Sequence, residues 1–452
     1  MRRWGDSAMN LFPFLRSKTF ARGIHPGGNK STAGSPIRRM PFAPRMILPL
    51  AQHIGKPAVP LVRAGEEVVR GQPIARADGF MSLPLHAPAD GVIESIELKP
   101  SARGPWVESI VLRVYEASTQ EVRWANPPDV AAMSSQDITR AIQEAGIAGM
   151  GGAAFPAHVK LVPPKDAVID TLVVNGAECE PYLTCDHRVM LEYPDDVMRG
   201  IQLAMRACGA PRAVVGIEDN KPDAVEMLRR HIPAGAAISV EPVKTKYPQG
   251  AAETLIYALL GREVPLGKRS SAVGVLVNNV MTLAYVGRLV PAGEGVIERV
   301  VTVAGPGVER PGNYLVPIGT PMRYLMEYAG ATGSERQIIL GGPMMGESVA
   351  SLDVPIIKGT SGVLVMPEQE QPRHQRVYPC IKCGECVNAC PKGLNPSMLG
   401  MLAARREYEA MDALHVGECF ECGCCSYVCP SHIPLVQQFR VAKGMLRERS
   451  AA

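Results

Sequence analysis

Eight of the twelve cysteines in this 452-residue chain fall in two matching runs. Cys380, Cys383, Cys386 and Cys390-Pro391 form the first; Cys419, Cys422, Cys425 and Cys429-Pro430 form the second. Both read C-x2-C-x2-C-x3-C-P. In this spacing three thiolates hold one iron–sulfur cubane, and the fourth reaches the neighbouring one. Cys380, Cys383, Cys386 and Cys429 are therefore assigned to one [4Fe–4S] centre, and Cys419, Cys422, Cys425 and Cys390 to a second. Crossed ligands force the two centres close together, as one-electron hopping requires. Structural zinc is the competing reading, but it uses pairs of C-x2-C rather than two triplets each closed by Cys-Pro. Cys179, Cys185, Cys208 and Cys424 fall outside the spacing and read as packing thiols.

A second set of residues could carry a cofactor. "GIAGMGGAAFPAHVK" supplies Gly149, Gly151 and Gly152, which let a backbone approach a ligand closely, and Lys160, a charge for phosphate. "NGAECEPYLTCD" crowds Asn175, Glu178, Glu180 and Asp186 at the end of an apolar run. "VNNVMT" places Asn278, Asn279 and Thr282 after another such run. An isoalloxazine edge needs hydrogen-bonding groups of this kind, and a ribityl phosphate needs the glycines.

These residues need a scaffold. Between residues 130 and 295, "DTLVVNG", "RAVVGIED", "AAISVEP" and "VGVLVNN" read as buried parallel strands. "DDVMRGIQLAMRACG", "KPDAVEMLRRH" and "GAAETLIYALLG" read as the helices between them. Ligands of such α/β sheets bind beyond the carboxyl ends of the strands. Residues 51–118 show short strands broken at Gly65, Gly71 and Gly91, a barrel-sandwich pattern similar to biotinyl and lipoyl carriers. The region "ADGFMS" lacks the lysine such carriers modify, so docking or structural support is the expected role. Residues 296–347 resemble a soluble-ligand-binding β-grasp module, with Pro311-Gly312 as a turn and "GGPMMG" (341–346) as another. Residues 348–374 read as a linker. Residues 375–445 read as a helical two-cluster ferredoxin domain, with Asn395 capping a helix that Pro396 begins. The fold class is thus multidomain α+β.

Residues 1–50 carry Arg2, Arg3, Arg16, Lys18, Arg22, Lys30, Arg38, Arg39 and Arg45 against Asp6 alone. Such a segment reads either as a solvated tail or as an arm for anionic lipid or an acidic partner. The net charge of +4 is too mild for nucleic acid as a main partner. No apolar run reaches about 18 residues, so no membrane span is expected. "NLFPFL" is too short for a signal-peptide core. A reducing cytoplasm is the expected compartment, where cysteines serve as ligands more often than as disulfides.

"GMGGAAFPAHVK", "NGAECEP", "YPQGAAETLIYALLG" and "NNVMT" resemble the flavin- and NADH-binding subunit of respiratory complex I. The resemblance implies that these loops hold FMN and that Phe155 stacks on the nicotinamide nucleotide, with Glu180 and Glu253 beside it. One departure stands out. The Glu pair that helps hold NADH in that family is replaced here by Ala251-Ala252, with Glu253 one place later. The complete order of modules, with "GIHPGGNK" near the start and "YPCIKCGECVNACPKGLNP" near the end, resembles the C subunit of the Rnf ion-translocating oxidoreductase complex over residues 20–440. That resemblance implies a peripheral subunit on the cytoplasmic side of the inner membrane. It would exchange electrons between NAD(H) and FMN and relay them through two [4Fe–4S] clusters. The recipients would be other subunits of the complex, including a ferredoxin-like one, and ferredoxin; contact with the membrane surface would be through these partners. The complex would couple the flow to H⁺ or Na⁺ movement. Two alternatives stay open at this point: a soluble cobalamin reductase-like flavin/iron–sulfur protein, which would lack the barrel, and a flavin-free relay or scaffold subunit.

Overall fold

Four short apolar runs build the central sheet. In the computed structural model, which describes residues 18–102, 104–331, 336–367 and 376–451, the strands Ile238–Val243, Ala213–Glu218, Thr171–Gly176 and Val275–Asn279 lie side by side in that order. All three pairings are parallel. Their residues are apolar on both faces because helices cover both faces. Pro194–Cys208 packs on Val280–Ala292 so closely that a Cβ on Gly200 would stand 1.7 Å from the Leu283 carbonyl oxygen. The expected alternation of strands and helices is met. The strand order places the ends of Thr171–Gly176 and Val275–Asn279 next to each other, so the two polar loops are neighbours.

The barrel is built from Arg45–Pro49, Trp106–Val114, Gly91–Pro100 and Glu67–Val68 in one sheet, with a three-stranded sheet against it. Its first strand starts at Arg45, inside the segment expected to be a basic tail. That expectation is corrected further upstream. Ile37–Arg39 pairs in parallel with Gly312–Pro317, and Phe20 and Ile24 are buried. The basic side chains are bound by the chain itself: Lys18 to Glu241, Arg39 to Glu298, Arg45 to Glu94, and Arg38 to the Tyr314 hydroxyl. Arg2, Arg3, Asp6 and Arg16 lie outside the described residues.

The β-grasp sheet also departs from expectation. It has six strands, in the order Ile37–Arg39, Gly312–Pro317, Glu298–Ala304, Gly362–Pro367, Arg336–Leu340 and Glu347–Val349. Gly362–Pro367, within the expected linker, is instead a central strand, buried over Gly362–Val365. "GVLVMP" is a short apolar run bounded by Gly and Pro, and it fills the gap between two strands laid down earlier in the chain. Residues 368–374 of the expected linker lie outside the described residues.

The cysteine domain repeats one motif twice. Gly384 and Gly423 occupy the left-handed region, at φ 82° and 80°. Each precedes a short helix, Glu385–Ala389 and Cys424–Tyr427, and those two helices pack together. Longer helices follow, Pro396–Ala404 and Leu435–Ala451, and also pack on each other. The Asn395 side chain accepts from Met398 N at 3.1 Å, capping the first.

Candidate functional site

The thiols sort into two groups. Burial pushes the Cys386 thiol up, and Cys429, Cys380 and Cys383 add to it as near neighbours. Burial likewise raises Cys425, where the neighbours are Cys419, Cys422 and Cys390. Thiols pressed together in this way hold a proton unless a metal removes it. A tetrahedral zinc would draw its sulfurs to roughly 3.8 Å from one another. Among the described residues, no three of these thiols lie within 4.8 Å of one another. The wider spread suits a cubane, whose irons carry the thiolates outward from its corners. Donor type, number and spacing therefore fit two [4Fe–4S] clusters.

The groups differ in surroundings. Cys380 and Cys383 are exposed, with Ile381 67% exposed between them. Cys386, Cys390, Cys422 and Cys425 are buried, and Cys422 packs on residues from outside the cysteine domain. There Ile24, Tyr247, Ala389, Cys422 and Cys424 form one apolar cluster, with Cys179, Met344 and Phe420 packed on it. The Tyr247 hydroxyl donates to the Cys422 carbonyl at 2.7 Å, and Gly23 N donates to the Ala389 carbonyl at 3.1 Å. Lys392 pairs with Glu253 at 2.6 Å and Glu418 at 3.2 Å. Burial opposes the Lys392 charge, but these carboxylates hold it above the ordinary lysine range.

The residues expected around a flavin surround one another at the carboxyl ends of the strands. Asn279 caps the helix Val280–Ala292 by accepting from Thr282 N, and its amide donates to Asp186 at 2.6 Å. Thr282 accepts from Met150 N at 2.9 Å, which fixes the glycine loop on that helix. A Cβ on Gly151 would stand 3.3 Å from the Asn279 side chain, so the loop lies tightly against it. Gly152, at φ 99°, is open to solvent, and Gly149 N donates to the Phe155 carbonyl, closing the loop beneath the half-buried Phe155. Lys160 is solvent-exposed, yet the surrounding protein desolvates it enough to hold its ammonium below the usual range. Asn278 is buried with its amide nitrogen unpartnered, as are both polar atoms of Gln249. These loops thus keep unused hydrogen-bonding capacity, and the donor set fits FMN.

Three expected ligand carboxylates have other partners. Glu178 caps the helix Cys185–Glu192, accepting from Asp186 N at 2.9 Å and His187 N at 3.3 Å. Glu180 accepts from Met344 N at 3.0 Å and Met345 N at 2.9 Å, so it organises the "GGPMMG" loop; burial pushes its carboxyl up to about 7. Glu253, expected at the nucleotide, pairs with Lys392 of the cysteine domain. Burial and then the Glu178 carboxylate push Asp186 up to about 7, leaving an acid pair beneath the Asn279 amide. Asn175 spans two loops, donating to the Gly250 carbonyl at 2.8 Å and accepting from Ala177 N at 3.0 Å.

Sequence reasoning missed Lys30. Its ammonium donates to the carbonyls of Glu178 at 2.8 Å, Glu180 at 2.7 Å and Leu183 at 2.5 Å, so one side chain shapes the whole "ECEPYL" loop. It ends the stretch "GIHPGGNK", and these three bonds tie that stretch to the flavin-type domain.

Four known domain families match successive parts of the chain. The family described as RnfC barrel sandwich hybrid domain matches residues 18–116, and the Nuo51 FMN-binding domain matches 142–288. The SLBB domain matches 300–348 and the 4Fe-4S dicluster domain matches 379–433. The C subunit of the proton-translocating ferredoxin:NAD(+) oxidoreductase complex of Clostridium ljungdahlii is 40% identical over 87% of this chain and 88% of its own length. This chain belongs to the RnfC family. The C subunits of the ion-translocating oxidoreductase complexes of Edwardsiella ictaluri and Salmonella newport are 39% and 40% identical over 97% and 96% of the chain. The chain spans 55% and 60% of those two proteins. An NAD+-reducing [NiFe]-hydrogenase in its H2-reduced state shares the fold, with a TM-score of 0.51 at 20% identity over 69% of this chain and 63% of that one. Membership of the RnfC family and the barrel match leave the cobalamin reductase-like alternative without support. No helix among the described residues is long and apolar enough to cross a membrane.

Proposed function

We propose that this chain is the peripheral subunit through which an ion-translocating oxidoreductase complex exchanges electrons with NAD(H). FMN, when bound, turns a two-electron hydride exchange into one-electron steps, and the two clusters carry single electrons. The chain's residues position those groups. Gly149–Gly152 admit the flavin to the backbone, and Lys160 offers charge to its phosphate. Asn278, Asn279 and Thr282 present hydrogen-bonding groups near its polar edge, while Asn175 and Glu178 fix the facing loop. Phe155 offers a ring face to a nicotinamide. The set Cys419, Cys422, Cys425 and Cys390 is the inner relay, and Cys380, Cys383, Cys386 and Cys429 the outer one.

One observation carries the reading. Cys422 of the inner set packs on Tyr247 of the flavin-type domain, whose hydroxyl bonds its carbonyl, while Cys380 and Cys383 of the outer set face solvent. Electrons thus have an entrance inside the chain and an exit at its surface, where a ferredoxin-like subunit of the complex would dock. Ion movement, H⁺ or Na⁺, belongs to membrane-spanning partners. The expected site is the cytoplasmic face of the inner membrane.

The test is iron and flavin content per chain in anaerobically prepared protein, followed by an optical spectrum on adding NADH. About eight irons and one FMN per chain, bleached by NADH, are expected. Clusters without flavin, unreduced by NADH, would leave a relay or scaffold subunit in place of the dehydrogenase.

A further inference from the structure

Tyr247 stands where three modules meet, and none of the assignments above uses its chemistry. It is 1% exposed. Its backbone is fixed by a reciprocal pair of hydrogen bonds with Ile24, each 2.9 Å. A Cβ on Gly23 would come within 2.6 Å of the Tyr247 carbonyl oxygen, so the N-terminal segment lies directly on it. Its hydroxyl donates to the Cys422 carbonyl at 2.7 Å, and the Glu180 carboxyl is a near neighbour. Glu180 belongs to the flavin-side loop and Cys422 to the inner thiol set. One phenol therefore joins the two.

We propose that Tyr247 is a positioning residue for the inner cluster: its O–H dipole, aimed at the peptide of Cys422, orients that ligand and raises the potential of the centre it holds. A cluster gains a negative charge on reduction, and a positive dipole end nearby favours the reduced form. In a buried site this dipole is little screened. A phenol keeps its proton at neutral pH, so Tyr247 remains a donor. The step it serves moves one electron and makes or breaks no bond; Tyr247 keeps its proton throughout. The inference rests on the proposed cluster assignment.

The experiment is a potentiometric titration of both clusters by electron paramagnetic resonance, on the full chain carrying flavin and iron. Tyr247→Phe keeps the ring and removes the donor. The inner potential should move negative, making reduction of that centre about tenfold less favourable, or about 59 mV for one electron. The outer centre and the flavin should not move. A second variant, with 3,5-difluorotyrosine at position 247, is a stronger donor of nearly the same shape and should move the inner potential positive. It also decides the case if Tyr247→Phe loses iron. A role confined to packing would alter iron retention or melting without opposite shifts from the two variants. Unshifted inner potentials in a protein that holds both clusters overturn this inference alone. A wild-type chain without two [4Fe–4S] signals overturns the functional reading beneath it.

Discussion

The two cysteine runs share a backbone and differ in company. Lys382 and Glu421, at equivalent places, are both left-handed, at φ 58° and 61°. Gly384 and Gly423 agree in ψ as well as φ, at −7° each. A Cβ on Gly384 would meet nothing within 4 Å, whereas one on Gly423 would stand 2.9 Å from the Met344 carbonyl oxygen. The local chain path follows from the ligand spacing, so it repeats. What surrounds each centre follows from the rest of the molecule, so it does not. Because burial and hydrogen bonding tune cluster potentials, one motif used twice can yield two different electron carriers.

The comparison can be broken most directly at the ligands. Cys390→Ala should abolish NADH-driven reduction of both centres, because it removes the inner one. Cys383→Ala should leave the inner centre reducible while electron delivery to a partner is lost. Iron analysis with stopped-flow absorbance reads both variants, and equal behaviour would erase the distinction. Cys386→Ala should lose about half the iron and keep its flavin.

The glycines give the next largest contrast. Both alanine variants lose about 1 kcal/mol to a left-handed residue. Gly423→Ala adds a clash with the Met344 carbonyl, so it should melt measurably below Gly384→Ala and release the inner iron faster. A smaller effect is expected from Lys392→Ala. Its half-buried pairing with Glu253 and Glu418 is worth on the order of 1 kcal/mol. Its loss should raise hydrogen exchange around 389–393 without touching 380–384. The smallest effect concerns Glu180, whose carboxyl is raised to about 7 by burial. Between its ordinary value of 4.5 and 7, the folded chain holds a proton that the unfolded chain has released. Stability should therefore fall as pH rises across that window and level off above it. Glu180→Gln should flatten the dependence in thermal melts.

Much of this was legible because it is local. Ligand spacing within a dozen residues announces a cubane, and four apolar runs with helical segments between them announce a parallel sheet. Asn395 and Pro396 announce a helix start, and the structure uses Asn395 as the cap. The misses are long-range. Nothing near Lys30 tells that it bonds three carbonyls about 150 residues away, and Tyr247 has no local mark of its tie to Cys422. The basic character of the first 50 residues misled because the compensating acids, Glu94, Glu241 and Glu298, are distant in sequence. Gly362–Pro367 could have been found, since a Gly- and Pro-bounded run of Val and Leu is itself a strand signal.

The crossed ligand sets also bear on how the protein is made. In the proposed assignment, Cys390 waits for Cys419, Cys422 and Cys425, and the first run waits for Cys429. During synthesis from the N-terminus, the flavin-type domain emerges far ahead of both runs and can fold first. Neither centre can then acquire its full ligand set until the second run, Cys419 to Cys429, has left the ribosome. Metal loading thereby becomes a late step, taken when the wall that will shelter the inner cluster is already standing.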